Sequence, residues 1–269
     1  MPSLIHPTAI VSPAAEIGDG CDIGPFCLIG DRVKLGPRCR LHSHVVLDGN
    51  TSIGSDCEIF PFACIGKRTQ DLKYRGGEGR LEIGHHNTFR ESVTIHMPTN
   101  PDGLTQVGSH CSLLAYCHIA HDCRIGDRVV MSNATQIAGH VHVGDRTIFG
   151  GLCGVHQFCK IGTMVMVGAL SKVTQDMPPF VLAEGDPATP RTVNKVGLKR
   201  NGLSDDQIRN VVQAYRLLFR SGLRQEDALA RIRGELPASP ELAEFATFAE
   251  TSERGIARPA ANMKDDAND

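Results

Sequence analysis

The chain has almost no net charge, no apolar run of membrane length and no paired-cysteine metal motif, and each absence removes a class of function. Its 28 Lys and Arg stand against 30 Asp and Glu, a net charge of −2. No strong field draws it to nucleic acid or to an anionic membrane. No apolar stretch is long enough to cross a bilayer. The start, Met1-Pro2-Ser3-Leu4-Ile5-His6, lacks the charged-then-apolar pattern of a secretory signal. A soluble, cytoplasmic protein is expected. Its 269 residues suffice for one large domain or two smaller ones. Ten cysteines occur without a Cys-x-x-Cys pair, and a secreted disulfide scaffold would be far shorter.

What is abundant is a period of six. Every sixth residue from Ile5 to Val173 is apolar except Asp71, Gly77 and Pro101. Many of these anchors precede glycine, as in Ile17-Gly18, Ile29-Gly30 and Ile125-Gly126. Neither a helical period of 3.6 nor plain alternation produces that spacing. Two residues before the anchors sit small or β-branched side chains such as Ala9, Val45, Thr135 and Thr147. Nine of the ten cysteines fall in this phase: Cys21, Cys27, Cys39, Cys57, Cys111, Cys117, Cys123, Cys153 and Cys159. Side chains two apart on a strand share a face, so each hexapeptide turns one small and one large residue inward. The cysteines read as small core residues rather than as disulfides or metal ligands. The fold class is mainly β: a parallel β-helix with three faces and eighteen residues per coil. The period leaves the hand of the coil open.

The coils run unbroken from the start to residue 65. Residues 66–82, polar and glycine-rich, lose the pattern. Because 65 and 83 differ by eighteen, they are expected to leave the cylinder for one coil's length and return in phase. This is either a binding loop or a tolerated insertion. A shorter break spans 97–106. Asp176-Met177-Pro178-Pro179 is expected to end the coils, since proline cannot donate to a strand ladder. A β-helix domain is therefore expected over 1–189 and an α-helical domain over 190–269. In the latter, Ser204-Asp205-Asp206-Gln207 is a capping box. Ile208, Val211, Val212, Tyr215, Leu218 and Phe219 follow at helical spacing, with Gly222 suited to C′. Further helices are expected over about 225–233 and from near Pro240, with a frayed tail from about 257.

Twelve histidines are present, and none occupies an anchor or the small position before it. Phase places them on outer faces or corners, where an isolated histidine is ordinarily only solvated. Stacking changes that reading. Residues eighteen apart lie one strand spacing apart, about 4.8 Å. His121 then stacks against Gly139 and Gly139 against Gln157; Asp122 stacks against His140, and His118 against Gln136. An imidazole beside an unobstructed backbone N–H is a plausible base and oxyanion donor.

Several segments carry a resemblance: Gln70-Asp71-Leu72-Lys73-Tyr74, Glu91-Ser92-Val93-Thr94-Ile95-His96, His118-Ile119-Ala120-His121-Asp122-Cys123, Ala138-Gly139-His140, Val155-His156-Gln157-Phe158 and Gly197-Leu198-Lys199-Arg200. With these the chain resembles the UDP-N-acetylglucosamine O-acyltransferases among the hexapeptide-repeat acyltransferases, from its start through the helical domain. The resemblance implies a left-handed parallel β-helix, a homotrimer and no cofactor or metal. It implies transfer of an (R)-3-hydroxyacyl chain from acyl carrier protein to the sugar 3-hydroxyl of UDP-N-acetylglucosamine, the first step of lipid A synthesis. On it, His121 is the general base, Asp122 its partner and the Gly139 N–H the oxyanion donor. Asp71, Lys73, His96, His118, His140, His156 and Gln157 contact substrate, with Gln70 nearby, and Asn194 and Arg200 meet the nucleotide from a neighbouring subunit. Ala169 and Met166, with Gly168 and Met164, are candidates for the ruler that stops the acyl chain. Asn201 departs from the family, which often has a second basic residue there.

Other readings compete. A sibling N-acyltransferase would carry a domain before its coils, whereas coils here begin at Ile5. An acetyl-CoA-dependent hexapeptide enzyme is a second alternative. A zinc hydratase would need a histidine triad, for which His118, His121 and His140 are candidates. A non-catalytic solenoid would not need the histidine and glycine column.

Overall fold

The computed structural model describes residues 2–77 and 79–259. Two-residue strands alternate with corners from Leu4–Ile5 onward and stack into three sheets, giving a left-handed parallel β-helix. The first face runs from Leu4–Ile5 to Val181–Gly185, the second from Ile10–Val11 to Lys172–Val173, the third from Glu16–Ile17 to Lys160–Ile161. Outside the two loops the register step is eighteen, as in Ile119↔Ile137↔Val155, until the last rung, where Ile161↔Met177 and Met166↔Leu182 step sixteen. The anchors fill the lumen: Ile59, Ile65, Phe89, Ile119 and Phe149 are wholly buried. Each such side chain is worth about 1.5–3 kcal/mol. Ile5, on the first coil with no rung beneath it, remains 48% exposed.

Corners use a left-handed residue. Asp122, His140 and Phe158 have φ of 59°, 61° and 66°. That conformation costs a non-glycine residue roughly 1–2 kcal/mol. A hydrogen bond between rungs offsets it: His140 N–H donates to His121 O at 3.0 Å and Phe158 N–H to Gly139 O at 3.1 Å.

All ten cysteines are free, and the nine in the repeat phase are buried. Their thiols do more than fill space. Cys27 Sγ donates to His42 O at 2.8 Å, Cys117 Sγ to Ser132 O at 3.1 Å and Cys153 Sγ to Gly168 O at 3.0 Å. Thr147 Oγ1 does the same for Gly162 O at 2.8 Å. Each bond gives a partner to a corner carbonyl of the next rung, and Ser132 O accepts two more from Thr135.

The loops differ from expectation in length. Ile65 lies on the second face and Ile83 on the third, so these two anchors do not stack. Ile83 pairs with Ile53, thirty residues back, and with Val107, twenty-four ahead. The first excursion therefore adds twelve residues to its rung, and the second adds six. Both are multiples of six, so the phase survives although the coil length does not. Strand structure also reaches into the first break, as Cys64–Lys67 and Arg80–Ile83, with Leu81 fully buried.

The prolines do not end the coils. Met177 bridges Ile161, and Val181–Gly185 pairs with Met166–Val167 before turning back into an antiparallel strand, Ala188–Val193. Pro178 and Pro179 sit in the connection, where no ladder donor is needed. Four helices follow: α1 (Lys195–Arg200), α2 (Asp205–Phe219), α3 (Gln225–Glu235) and α4 (Pro240–Glu250). The Ser204–Gln207 capping box forms on α2. Gly222 is left-handed, φ 73°, but lies one residue beyond C′. The tail is not frayed at 257: Ala257 is buried and its N–H donates to Asp176 O at 2.8 Å. Residues 260–269 lie outside the described residues.

Candidate active site

On the second face and its corner toward the third, a cleft of about 640 Å³ opens. His118, Gln136, Gly154 and Lys172 stack along its floor in strand register. His121, Gly139 and Gln157 form the corner column beside them. The first excursion supplies Gln70, Asp71 and Lys73, and the second-face strands supply His96. Both excursions replace this same corner in the two rungs immediately before that of His121.

His121 and Gly139 share one edge. The imidazole lies over the glycine: a Cβ at 139 would stand 2.3 Å from His121 Cε1. His121 Nδ1 is 2.9 Å from Asp122 Oδ2. An ionised carboxylate only accepts, so Nδ1 carries a proton, and in the neutral tautomer this fixes Nε2 as the free base. Nε2 lies 3.8 Å from Asp71 Oδ2. The Gly139 N–H has no partner among the described residues, although the flanking Ala138 and His140 N–H groups are both paired.

Asp122 is held from the second excursion. Thr99 Oγ1 and N donate to its Oδ2 at 2.6 and 3.0 Å, and its own N–H donates to Thr105 Oγ1 at 2.8 Å. Burial pushes its carboxyl up, but the bonds from Thr99 and His121 outweigh this, and the pKa is lowered. His140 stands behind, edge-on to His121 at 5.1 Å and stacked on Phe158 at 4.5 Å.

Phase placed every histidine outside the lumen, and so they are, but not all are solvated. His96 is only 6% exposed and lies edge-on to His118 at 4.8 Å. Burial lowers the pKa of both, to about 4 for His118, with neighbouring histidine charge adding to it. The Nδ1 of His118 meets Thr94 Oγ1 at 2.8 Å. Burial also lowers His140. His96, His118 and His140 are therefore neutral imidazoles at neutral pH.

Asp122 and His140 back the cleft rather than line it. His156 lines it, its Nδ1 turned to Gln157 O at 3.1 Å. Asn194 and Arg200 are elsewhere: Asn194 caps α1 and donates through Nδ2 to Met164 O, and Arg200 is exposed at the helix end. Met166 points outward from the first face, Ala169 sits on its corner toward the second, and Met164 is buried. The sequence reading missed Thr99, Thr105 and Lys172. Lys172 was available from the eighteen-residue step; the threonines belong to or adjoin an excursion, where spacing carries no signal.

The triad His118, His121 and His140 is not assembled as a metal site. Among the described residues the one group compact enough for an ion is His121, Asp122 and His140, and there Asp122 Oδ2 already accepts from Thr99 and His121.

Comparison with known proteins supplies the family. Residues 176–257 match a family model described as UDP-N-acetylglucosamine O-acyltransferase, domain 2. LpxA from Acinetobacter baumannii is 46% identical, superimposes with a TM-score of 0.92, and the match covers 95% of this chain and 100% of that one. The chain belongs to the UDP-N-acetylglucosamine O-acyltransferase family. A second member, from Moraxella catarrhalis, is 42% identical over 94% of this chain and 99% of its own, with a TM-score of 0.91. LpxA from Bacteroides fragilis is 38% identical over 95% and 100%, with a TM-score of 0.92. Acyltransferase chemistry follows from family membership, and no helix among the described residues is long and apolar enough to cross a membrane.

Proposed function

We propose that the chain transfers an (R)-3-hydroxyacyl group from acyl carrier protein to the 3-hydroxyl of UDP-N-acetylglucosamine, as the first step of lipid A synthesis in the cytoplasm. One observation carries the reading: His121, paired to Asp122, lies over Gly139, whose N–H has no partner among the described residues, within one cleft. His121 Nε2 takes the hydroxyl proton as the oxygen attacks the thioester carbonyl. The Gly139 N–H donates to the oxygen that becomes negative. The tetrahedral intermediate then collapses, and the imidazolium returns its proton to the departing thiolate. A positioned base supplies about 10²–10⁴-fold, and one oxyanion donor about 3 kcal/mol. A thioester is already activated, so these two contributions suffice without a covalent enzyme intermediate. Gln70, Asp71, Lys73, His96, His118, His156 and Gln157 hold the two substrates, with His140 behind them.

The active assembly is a homotrimer, with Asn194 and Arg200 reaching the nucleotide of a neighbouring copy. Supporting this, Phe26, Phe62, Tyr116, Leu152 and Leu170 are each more than half exposed along one edge of the prism, an apolar stripe that a monomer would leave wet. Ala169 and Met166, close to that edge, limit the acyl chain. The test is an assay with UDP-N-acetylglucosamine and a panel of 3-hydroxyacyl carrier proteins, with His121→Ala alongside. Turnover confined to 3-hydroxyacyl donors and lost in the variant, with oligomeric state unchanged, is expected. A His121→Ala rate within a few fold of the parent removes His121 from the mechanism.

A further inference from the structure

The Gly139 N–H is useful to an oxyanion only if it points out of the cylinder, and nothing on the cleft side holds it there. The restraint comes from inside. Gly139 N–H belongs to the same peptide unit as the Ala138 carbonyl, and in a planar trans peptide the two point in opposite directions. Cys123, fully buried in the lumen, donates its thiol to Ala138 O at 3.0 Å. We infer that Cys123 is a positioning residue for the reaction: by pinning the Ala138 carbonyl into the core, it turns the Gly139 N–H toward the cleft.

The neighbouring bonds leave this peptide little else to rely on. Ala138 N–H and His140 N–H are spent on Val155 O and His121 O, at 3.1 and 3.0 Å. These fix the peptides on either side, but among the described residues the 138–139 unit itself has only the thiol. A glycine on one side of a peptide lowers the cost of rotating it. Burial pushes the Cys123 thiol up to about 12, so at neutral pH it remains an S–H donor. The same device appears at Cys117 and Cys153, which donate to Ser132 O and Gly168 O. Those peptides lie on the corner between the first and second faces, away from His121, so the bond there serves the fold alone. Thr147 shows that a hydroxyl in this phase makes the bond equally well.

The inference rests on Gly139 as oxyanion donor, and its test separates the two. Cys123→Ala, Cys123→Thr and Cys117→Ala are compared in the full-length protein by steady-state kinetics, melting and the amide resonance of Gly139 in an isotope-labelled sample. Cys123→Ala is expected to shift or broaden that resonance and to lower kcat about five- to tenfold with KM little changed, the effect of a weakened rather than deleted donor. Cys123→Thr restores both. Cys117→Ala melts earlier, though by less because Ser132 O keeps the Thr135 hydroxyl and N–H, with kcat intact. An unaltered Gly139 resonance in Cys123→Ala overturns the inference, as does an equal loss of kcat in Cys117→Ala. A displaced resonance with unchanged kcat overturns the oxyanion assignment of Gly139 and leaves Cys123 only as the holder of that peptide.

Discussion

Replacing Gly139 by alanine tests the site through geometry alone. The substitution keeps the backbone N–H and adds one methyl group. That methyl would stand 2.3 Å from His121 Cε1 and 2.5 Å from Nε2, against an ordinary carbon contact of about 3.5–4 Å. The ring must retreat by about 1 Å, and a displacement of that size at a reacting group costs on the order of 10²-fold in rate. Retreat also strains the 2.9 Å bond to Asp122. The fold should tolerate the change, because Gly139 is not left-handed and the atom displaced is the end of a side chain rather than backbone. We expect kcat to fall about a hundredfold, with melting within a few degrees of the parent. The assay is release of the carrier thiol at saturating UDP-N-acetylglucosamine. A Gly139→Ala enzyme that turns over within a few fold of the parent refutes the claim that the imidazole works from its position above residue 139.

Thr99→Val removes the 2.6 Å hydroxyl bond to Asp122 but keeps the backbone N–H. It should cost several-fold in kcat and move the acid limb of the pH–rate profile upward; an unmoved limb would show that Thr99 does not tune the carboxylate. His118 supplies a stability test. Its folded pKa lies near 4 against an ordinary 6.5, so the unfolded chain binds the proton first and stability is lost as pH falls through that interval, by at most about 1.4 kcal/mol per pH unit. His118→Gln should flatten the melting-versus-pH curve between those values, and an unchanged slope would contradict the burial argument. Ala169→Met should shorten the preferred acyl chain; an unchanged chain-length preference would remove position 169 from the ruler.

Much of this was readable before any coordinates. The anchors and the small phase beneath them dictate a three-faced solenoid, and where no loop intervenes the eighteen-residue step puts His121, Gly139 and Gln157 in one column. What spacing could not deliver lies in the excursions. Ile65 and Ile83 kept the phase while changing faces, because a period of six cannot distinguish an added dozen from an added eighteen. Thr99 reaches Asp122 from such a loop, and no periodicity points to it. Phase places His96 on an outer face, yet it is buried, since phase reports which side of the strand a residue takes and not what later covers it. The prolines at 178 and 179 were overweighted: a missing N–H ends a ladder only where the ladder needs that donor.

Both excursions leave from one edge of the prism and rejoin the next face in step. The apolar stack that carries the stability is thus written apart from Gln70, Asp71 and Lys73, although His118, His121 and Gln157 stand on the coils themselves. Either loop could be exchanged for another of suitable reach, and the columns above and below would still meet their partners. New recognition could be grafted there as a cassette, provided Leu81 and Thr105 keep their places in the lumen.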